Sequence, residues 1–166
     1  MTELIPMSIK GLMLDPVSNS PIVVLKDEEE KFFLPIWVGI FEANAIALQL
    51  ENVSTPRPMT HDLLKSAIAQ LDARVTRIVI NDLRDSTFFA QIRVTVTRSG
   101  ADTMLELDAR PSDAIALALR TEAPIYVAQS VLDQAQTISP ESEDQSEQSK
   151  SWFEQLDADE LGKYKM

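Results

Sequence analysis

The chain holds a single histidine, His61, and its neighbours are of the types that could put it to use. Arg57 stands shortly before it between two prolines, and Asp62 follows it directly. Arg110, Ser112 and Asp113 form a second group around Pro111, and Glu42 and Asn44 a third. Histidine is the side chain whose unperturbed pKa lies nearest neutrality, so His61 is the candidate general base. Asp62 and Asp113 fall at expected helix starts, where the positive end of the dipole keeps a carboxylate ionised, as a metal ligand must be. With Glu42 they make a candidate oxygen set for Mg²⁺ or Mn²⁺. Arg57 and Arg110 each adjoin a proline, whose stiff backbone could aim a guanidinium at a phosphate. The chemistry these types would serve is metal-assisted hydrolysis of a phosphate ester, with Glu42, Asp62 and Asp113 on the metal and His61 relaying a proton. A bound divalent ion and two arginines would also reverse the local field of an otherwise acidic chain.

Each residue also has a plainer use. Ser112 and Asp113 stand where capping residues belong, and Thr60 is a fair N-cap for the following helix. His61 could hydrogen-bond the connector before it, and Asp62 could simply complement the helix dipole. Arg57 could pair structurally with Glu42 or Asp113, and Arg110 has the same ambiguity.

These residues need elements to position them. Residues 3–14, 22–27 and 31–38 read as three strands, with the acidic run 28–30 as a hairpin tip. Pro35 puts the third strand at a sheet edge or a bulge. Residues 40–52 have a helical composition, the stretch 53–58 with its two prolines cannot be helical, and residues 59–72 carry apolar side chains at helical spacing. Three further strands follow at 73–83, 87–97 and 103–109, then a helix at 110–123 with Pro111 in its first turn. A short extended piece leads into a last helix within 124–136.

The unit of three strands, a helix, a connector and another helix thus occurs twice. "NAIALQL", starting at Asn44, lies over "DAIALAL", starting at Asp113, and "TPRPMTHDLL" over "APIYVAQSVL". A repeat this long is no solenoid unit. The expectation is an α+β domain over residues 1–135, packed as an internal pseudo-dimer, with Ala45, Ala47, Ala114, Ala116 and Ala118 letting two equivalent helices approach closely. The stretch 136–150 is acidic and rich in Ser and Gln, which reads as a disordered linker, and 151–166 as a short amphipathic segment able to dock on a protein partner.

Composition limits the function. The net charge is −11, and residues 136–166 carry eight acids against three bases. Such a field opposes a polyanion, so nucleic acid is disfavoured unless a basic patch or metal ions intervene. There is no cysteine, which excludes disulfides, thiolate metal sites and cysteine nucleophiles. No apolar run approaches a membrane span and no signal-peptide pattern opens the chain, so the expectation is a cytoplasmic protein. The four glycines form no phosphate-binding loop, and neither a serine elbow nor a calcium loop is present.

The segments "LPIWVGIFEANAIALQLEN", "PRPMTHDLL" and "ARPSDAIALALR" resemble the bifunctional nuclease domain family, in the same order, over roughly residues 4–135. The resemblance implies an α+β fold of two β-rich repeats with packed helices, a homodimer, and cleavage of RNA and DNA. Exposed strand edges and the aromatic strands around Phe32, Phe33, Trp37, Phe88 and Phe89 also suit a dimer. Two functions stay open on the residues: a metal-assisted nuclease, or a non-enzymatic regulatory or binding protein whose cleft takes a small anion or a peptide. The expectation for the site is that Arg57, His61, Asp62, Arg110 and Asp113 converge between the repeats, with Glu42 nearby.

Overall fold

The computed structural model describes residues 2–135. The expected linker at 136–150 and amphipathic segment at 151–166 lie outside the described residues.

Two antiparallel meanders form the sheet. In the first, β1 (Leu4–Leu14) pairs with β2 (Pro21–Asp27), and β2 with β3 (Phe33–Trp37). Ile22, Val23, Val24 and Leu25 are all buried, which explains why β2 reads as a continuous apolar run without polar alternation. β3 is an edge strand, as Pro35 requires, because a central strand would leave a neighbour's carbonyl without its N–H donor.

The second meander is β4 (Ala73–Arg84), β5 (Thr87–Arg98) and β6 (Ala101–Ala109). Its hairpins turn on two residues each, Asp85–Ser86 and Ser99–Gly100, all four with positive φ. Such turns match the twist of the flanking strands. The tight second turn lets β6 begin at Ala101, two residues earlier than its apolar pattern suggests. A short strand, β7 (Ile125–Ala128), joins the meanders, antiparallel to β1 and parallel to β4. The seven-stranded order is β3-β2-β1-β7-β4-β5-β6.

Four helices complete an α+β fold: α1 (Ile40–Leu50), α2 (Thr60–Gln70), α3 (Pro111–Thr121) and α4 (Gln129–Gln134). α1 packs on α3, and Ala45, Ala47, Ala114, Ala116 and Ala118 are buried, so the small side chains do bring the two helices together. Against them lie Val23, Leu25, Leu34, Ile36, Ile78, Ile80 and Val127 from the sheet. Each fully buried Val, Leu or Ile contributes roughly 1.5–3 kcal/mol, which makes this layer the main source of stability. α2 is different: His61 is its only buried residue. No helix among the described residues is long and apolar enough to cross a membrane.

The helix starts differ from the capping expectations. The N-cap of α2 is Met59, and Thr60 is the first helical residue. There the N–H of Met59 donates to Asp62 Oδ2 at 2.9 Å, the half of a capping box that an acid at the third helical position supplies. The N-cap of α3 is Arg110, with no side-chain cap bond, and Ser112 lies inside the helix. Asp113 is no cap either, because its oxygens face two other side chains.

Candidate functional site

Three helix starts meet at one place. Asp113, in the first turn of α3, accepts on Oδ1 from His61 Nε2 of α2 at 2.8 Å. Its Oδ2 accepts from Arg110 Nε at 2.9 Å and lies 2.8 Å from Arg110 Nη2. The same Nη2 donates to Glu42 Oε1 in the first turn of α1, at 2.9 Å. Glu42 can fold back over its helix start because position 39 is glycine, where any Cβ would overlap the Glu42 carboxylate. Sequence distance is thus converted into one continuous network, His61–Asp113–Arg110–Glu42.

Burial acts to raise the Asp113 pKa, but the hydrogen bonds from His61 and Arg110 and their charge outweigh it. The carboxyl is held below its ordinary range, hence ionised at neutral pH. An ionised carboxylate only accepts, so His61 must donate from Nε2. Its Nδ1 has no hydrogen-bond partner among the described residues and carries the lone pair when the ring is neutral. Hydrogen bonding to Asp113, then its charge, and the bond to Glu42 raise the Arg110 pKa further, so the guanidinium is a fixed positive charge. The Arg110 side chain is 66% exposed, and its Nη1 makes no hydrogen bond among the described residues. One buried imidazole, one ionised carboxylate and one exposed cation therefore adjoin, an arrangement able to orient a base and receive an anion.

The other two expected residues stand elsewhere. Asp62 points to Arg120 near the end of α3, whose Nε donates to Oδ1 at 2.7 Å. Burial again acts to raise this carboxyl's pKa, and the Met59 N–H, the Arg120 hydrogen bond and its charge bring it below the ordinary value. Arg57 lines a separate cavity of about 340 Å³ with Asp62, Ser66 and Arg120, and pairs with neither Glu42 nor Asp113. Asn44 is half-buried on α1 and makes no side-chain bond among the described residues.

The residue that sequence reasoning passed over is Arg120. Its side chain is 4% exposed, and it donates to Ala116 O at 2.8 Å and Ala45 O at 2.9 Å as well as to Asp62. It ties α1, α2 and α3 together. Its signal was available: an arginine inside an Ala/Leu-rich helix, two turns beyond Asp113 on the same face.

The oxygen set expected for a divalent cation is divided. Glu42 and Asp113 share Arg110, while Asp62 is held by Arg120 and the Met59 N–H. Among the described residues no group of three or more His, Cys, Asp or Glu side chains could hold one ion. In this arrangement the three carboxylates are divided between two arginines and do not share one coordination sphere.

The molecule is an α+β domain in which three helix starts converge on a His–Asp–Arg–Glu hydrogen-bond network. Residues 23–140 match the bifunctional nuclease domain, and the chain belongs to that family. It is 38% identical over 137 residues to an uncharacterised protein of Mycobacterium tuberculosis, covering 82% of this chain and 79% of that one. It is also similar to Bifunctional nuclease 1 of Arabidopsis thaliana, at 29% over 119 residues, covering 71% of this chain and 36% of the plant protein. Bifunctional nuclease 1 of Oryza sativa subsp. indica matches at 25% over 113 residues, 68% of this chain and 34% of the rice protein. The chain thus spans about a third of the length of these plant relatives.

Proposed function

We propose that the protein hydrolyses phosphodiester bonds of nucleic acid at the His61–Asp113–Arg110–Glu42 network. The observation that carries this reading is the 2.8 Å contact of His61 Nε2 with Asp113, beside an exposed arginine. Asp113 orients the imidazole and fixes its tautomer, leaving Nδ1 as the base. A water gives a proton to Nδ1 while its oxygen forms the new bond to phosphorus. The ester P–O bond breaks, and the leaving oxygen takes that proton back from the imidazolium. Arg110 offsets the charge that develops on the phosphoryl oxygens, and Glu42 holds Arg110 in place. No step is routed through a metal.

Family membership supports nuclease-like chemistry, and the printed names of the plant relatives support it for those proteins. The reading includes two related halves around one core, supported by the repeated order of three strands and a helix and by the packing of α1 on α3. It also includes a homodimer, for which the nine-residue edge strand β6, exposed along nearly its whole length, is the supporting feature. The test is cleavage of single-stranded RNA and DNA oligonucleotides by purified protein, with Mg²⁺, with Mn²⁺ and in chelator, beside His61→Ala. The expected result is slow cleavage that survives the chelator and disappears in the variant.

A second reading rests on a specific observation: each candidate acid is paired with an arginine. In it the network is the glue between helices, and the protein is a non-enzymatic anion-binding or peptide-binding module. Oligonucleotide binding without cleavage under every metal condition would select it.

A further inference from the structure

Beside the network, a groove of about 290 Å³ opens between the start of α1, the β4–β5 turn and the start of α3. Trp37, Gly39, Phe88, Arg110, Pro111 and Ser112 line it. Trp37 is 54% exposed, and its indole N–H donates to Asp15 Oδ2 at 2.9 Å, so the ring is held while much of it faces outward. Phe88 is half-buried in the same groove. Ser112 is only 6% exposed and its hydroxyl has no hydrogen-bond partner among the described residues. The start of α3 has no side-chain cap, and the N–H groups of Ser112 and Asp113 have no intrahelical acceptor. One end of the groove is aromatic; the other joins a helix N-terminus to an exposed guanidinium.

That pairing of surfaces matches a nucleotide, in which a flat apolar base is joined to a phosphate. Aromatic rings accept any base by stacking, and a helix start with an adjacent arginine favours a phosphate oxygen. A larger cavity of about 540 Å³ under α2 holds Lys65 and Arg74 but no aromatic side chain, so it offers a base no stacking face. We propose that the Trp37–Phe88–Arg110–Ser112 groove seats one unpaired nucleobase of single-stranded nucleic acid, its phosphate on the start of α3. The inference rests on the hydrolytic reading above and deepens it: the groove adjoins the His61–Asp113 pair through Arg110, so it positions the strand for that site. A duplex presents no free base face, and the groove selects against it.

The test separates binding from cleavage. The full chain carries His61→Ala, to stop hydrolysis, and Trp152→Phe, which leaves Trp37 as the sole tryptophan. Its fluorescence is titrated with a single-stranded oligoadenylate, with the same strand in a duplex, and with inorganic phosphate. The single strand quenches Trp37, the duplex binds more weakly, and phosphate alone binds more weakly still. Measured by anisotropy of a labelled strand, Trp37→Leu and Phe88→Leu each lose about tenfold or more in affinity, as removal of a stacking ring does. Trp37→Phe retains most of it. Unchanged affinity in both leucine variants, or phosphate binding as tightly as the strand, would overturn the proposal. So would a Trp37→Leu variant whose light scattering reports a changed assembly mass, because the ring would then be buried between copies. Cleavage that persists in His61→Ala defeats the hydrolytic reading instead and leaves the stacking measurement intact.

Discussion

Residues 55–64 and 123–132 can be laid over one another in sequence, and they fold differently. In the second, Ile125, Val127 and Ala128 form the buried strand β7, and Val131 and Leu132 of α4 are buried behind it. In the first, Arg57 and Pro58 stand opposite Ile125 and Tyr126, and no strand forms. Pro58 lacks the N–H a ladder needs, whereas branched side chains favour the pleated surface. The second segment also occupies the one gap between β1 and β4, so a second strand has no place in the centre of the sheet. Freed from that duty, the first segment brings His61 and Asp62 to α3, where the second offers only Gln129 and Ser130. The second segment closes the core, and the first sets two polar side chains against α3.

The largest expected effect breaks this comparison at its polar end. His61→Ala should lower kcat/KM for a single-stranded oligonucleotide by about 10²–10⁴-fold, the usual contribution of a positioned acid–base group. Gln129→Ala, at the matched position, should leave it unchanged. Asp113 keeps its contacts with Arg110 in the His61 variant, so the domain stays folded, with a lower melting temperature from the lost buried imidazole. Equal losses from the two substitutions would show that the site is not confined to the first segment.

Next in size is Arg120. It lies at the repeat position of Glu51, which is an exposed helix end. Arg120→Met leaves Asp62 without its cation and removes the side-chain links to the carbonyls of Ala45 and Ala116, which keep their helical N–H partners. The expected loss of stability is about 3 kcal/mol, at the lower end for breaking a buried pair because Asp62 is partly open to solvent. Glu51→Met should cost less than about 0.5 kcal/mol. Urea denaturation of both variants measures the difference, and similar midpoints would remove Arg120 from its linking role.

Much of this was written in local patterns. Branched residues marked the strands, Pro35 marked a sheet edge, and the buried alanines marked the α1–α3 contact. The residue types of the network were legible as well, since His61, Arg110, Asp113 and Glu42 do converge. Partner choice was not. Asp62 could be seen as a helix-start acid, but its attachment to Arg120, 58 positions away, depends on how α2 lies across α3. The same tertiary choice decided the caps: Ser112 was free to be a cap by composition, but the start of α3 is set two residues earlier, with Arg110 as N-cap and Pro111 as the first helical residue. Arg57, stiffened between prolines, stands on a loop as its neighbours imply, and lines a cavity with Asp62 and Arg120 while Arg110 lines another.

A smaller effect tests the apolar side of the comparison. Leu64 and Leu132 are matched in the repeat, with 39% and 5% exposure. Leu132→Ala should cost about 2–4 kcal/mol through lost burial and the cavity left behind. Leu64→Ala should cost about 1 kcal/mol, because more than a third of that residue stays in water and less burial is lost. Thermal melts of the pair give the ratio. If Leu64 proves as costly, α2 is covered by something beyond the described residues, and a second copy of the chain is the first occupant to examine by light scattering at several concentrations.

The smallest expected effect is a pH dependence, and it falls on Asp113, whose matched position is the uncharged Asn44. The folded-state pKa of Asp113 is depressed, by hydrogen bonds and charge that overcome burial, and Asp62 behaves in the same way. Below its ordinary value an acid binds more protons in the unfolded chain than in the folded one. Stability from these groups is therefore fully present above about pH 4 and is lost as the pH falls through their folded-state values. Asp113→Asn should remove part of that acid-limb slope and leave the remainder to Asp62. Asn44→Ala should shift stability equally at pH 3 and pH 7, because it has no proton to exchange. The readout is the difference in urea midpoint between the two pH values for each variant. An Asp113→Asn protein with an undiminished acid limb would mean that its carboxylate gains nothing from His61 and Arg110, and the network would lose its claim to be preorganised.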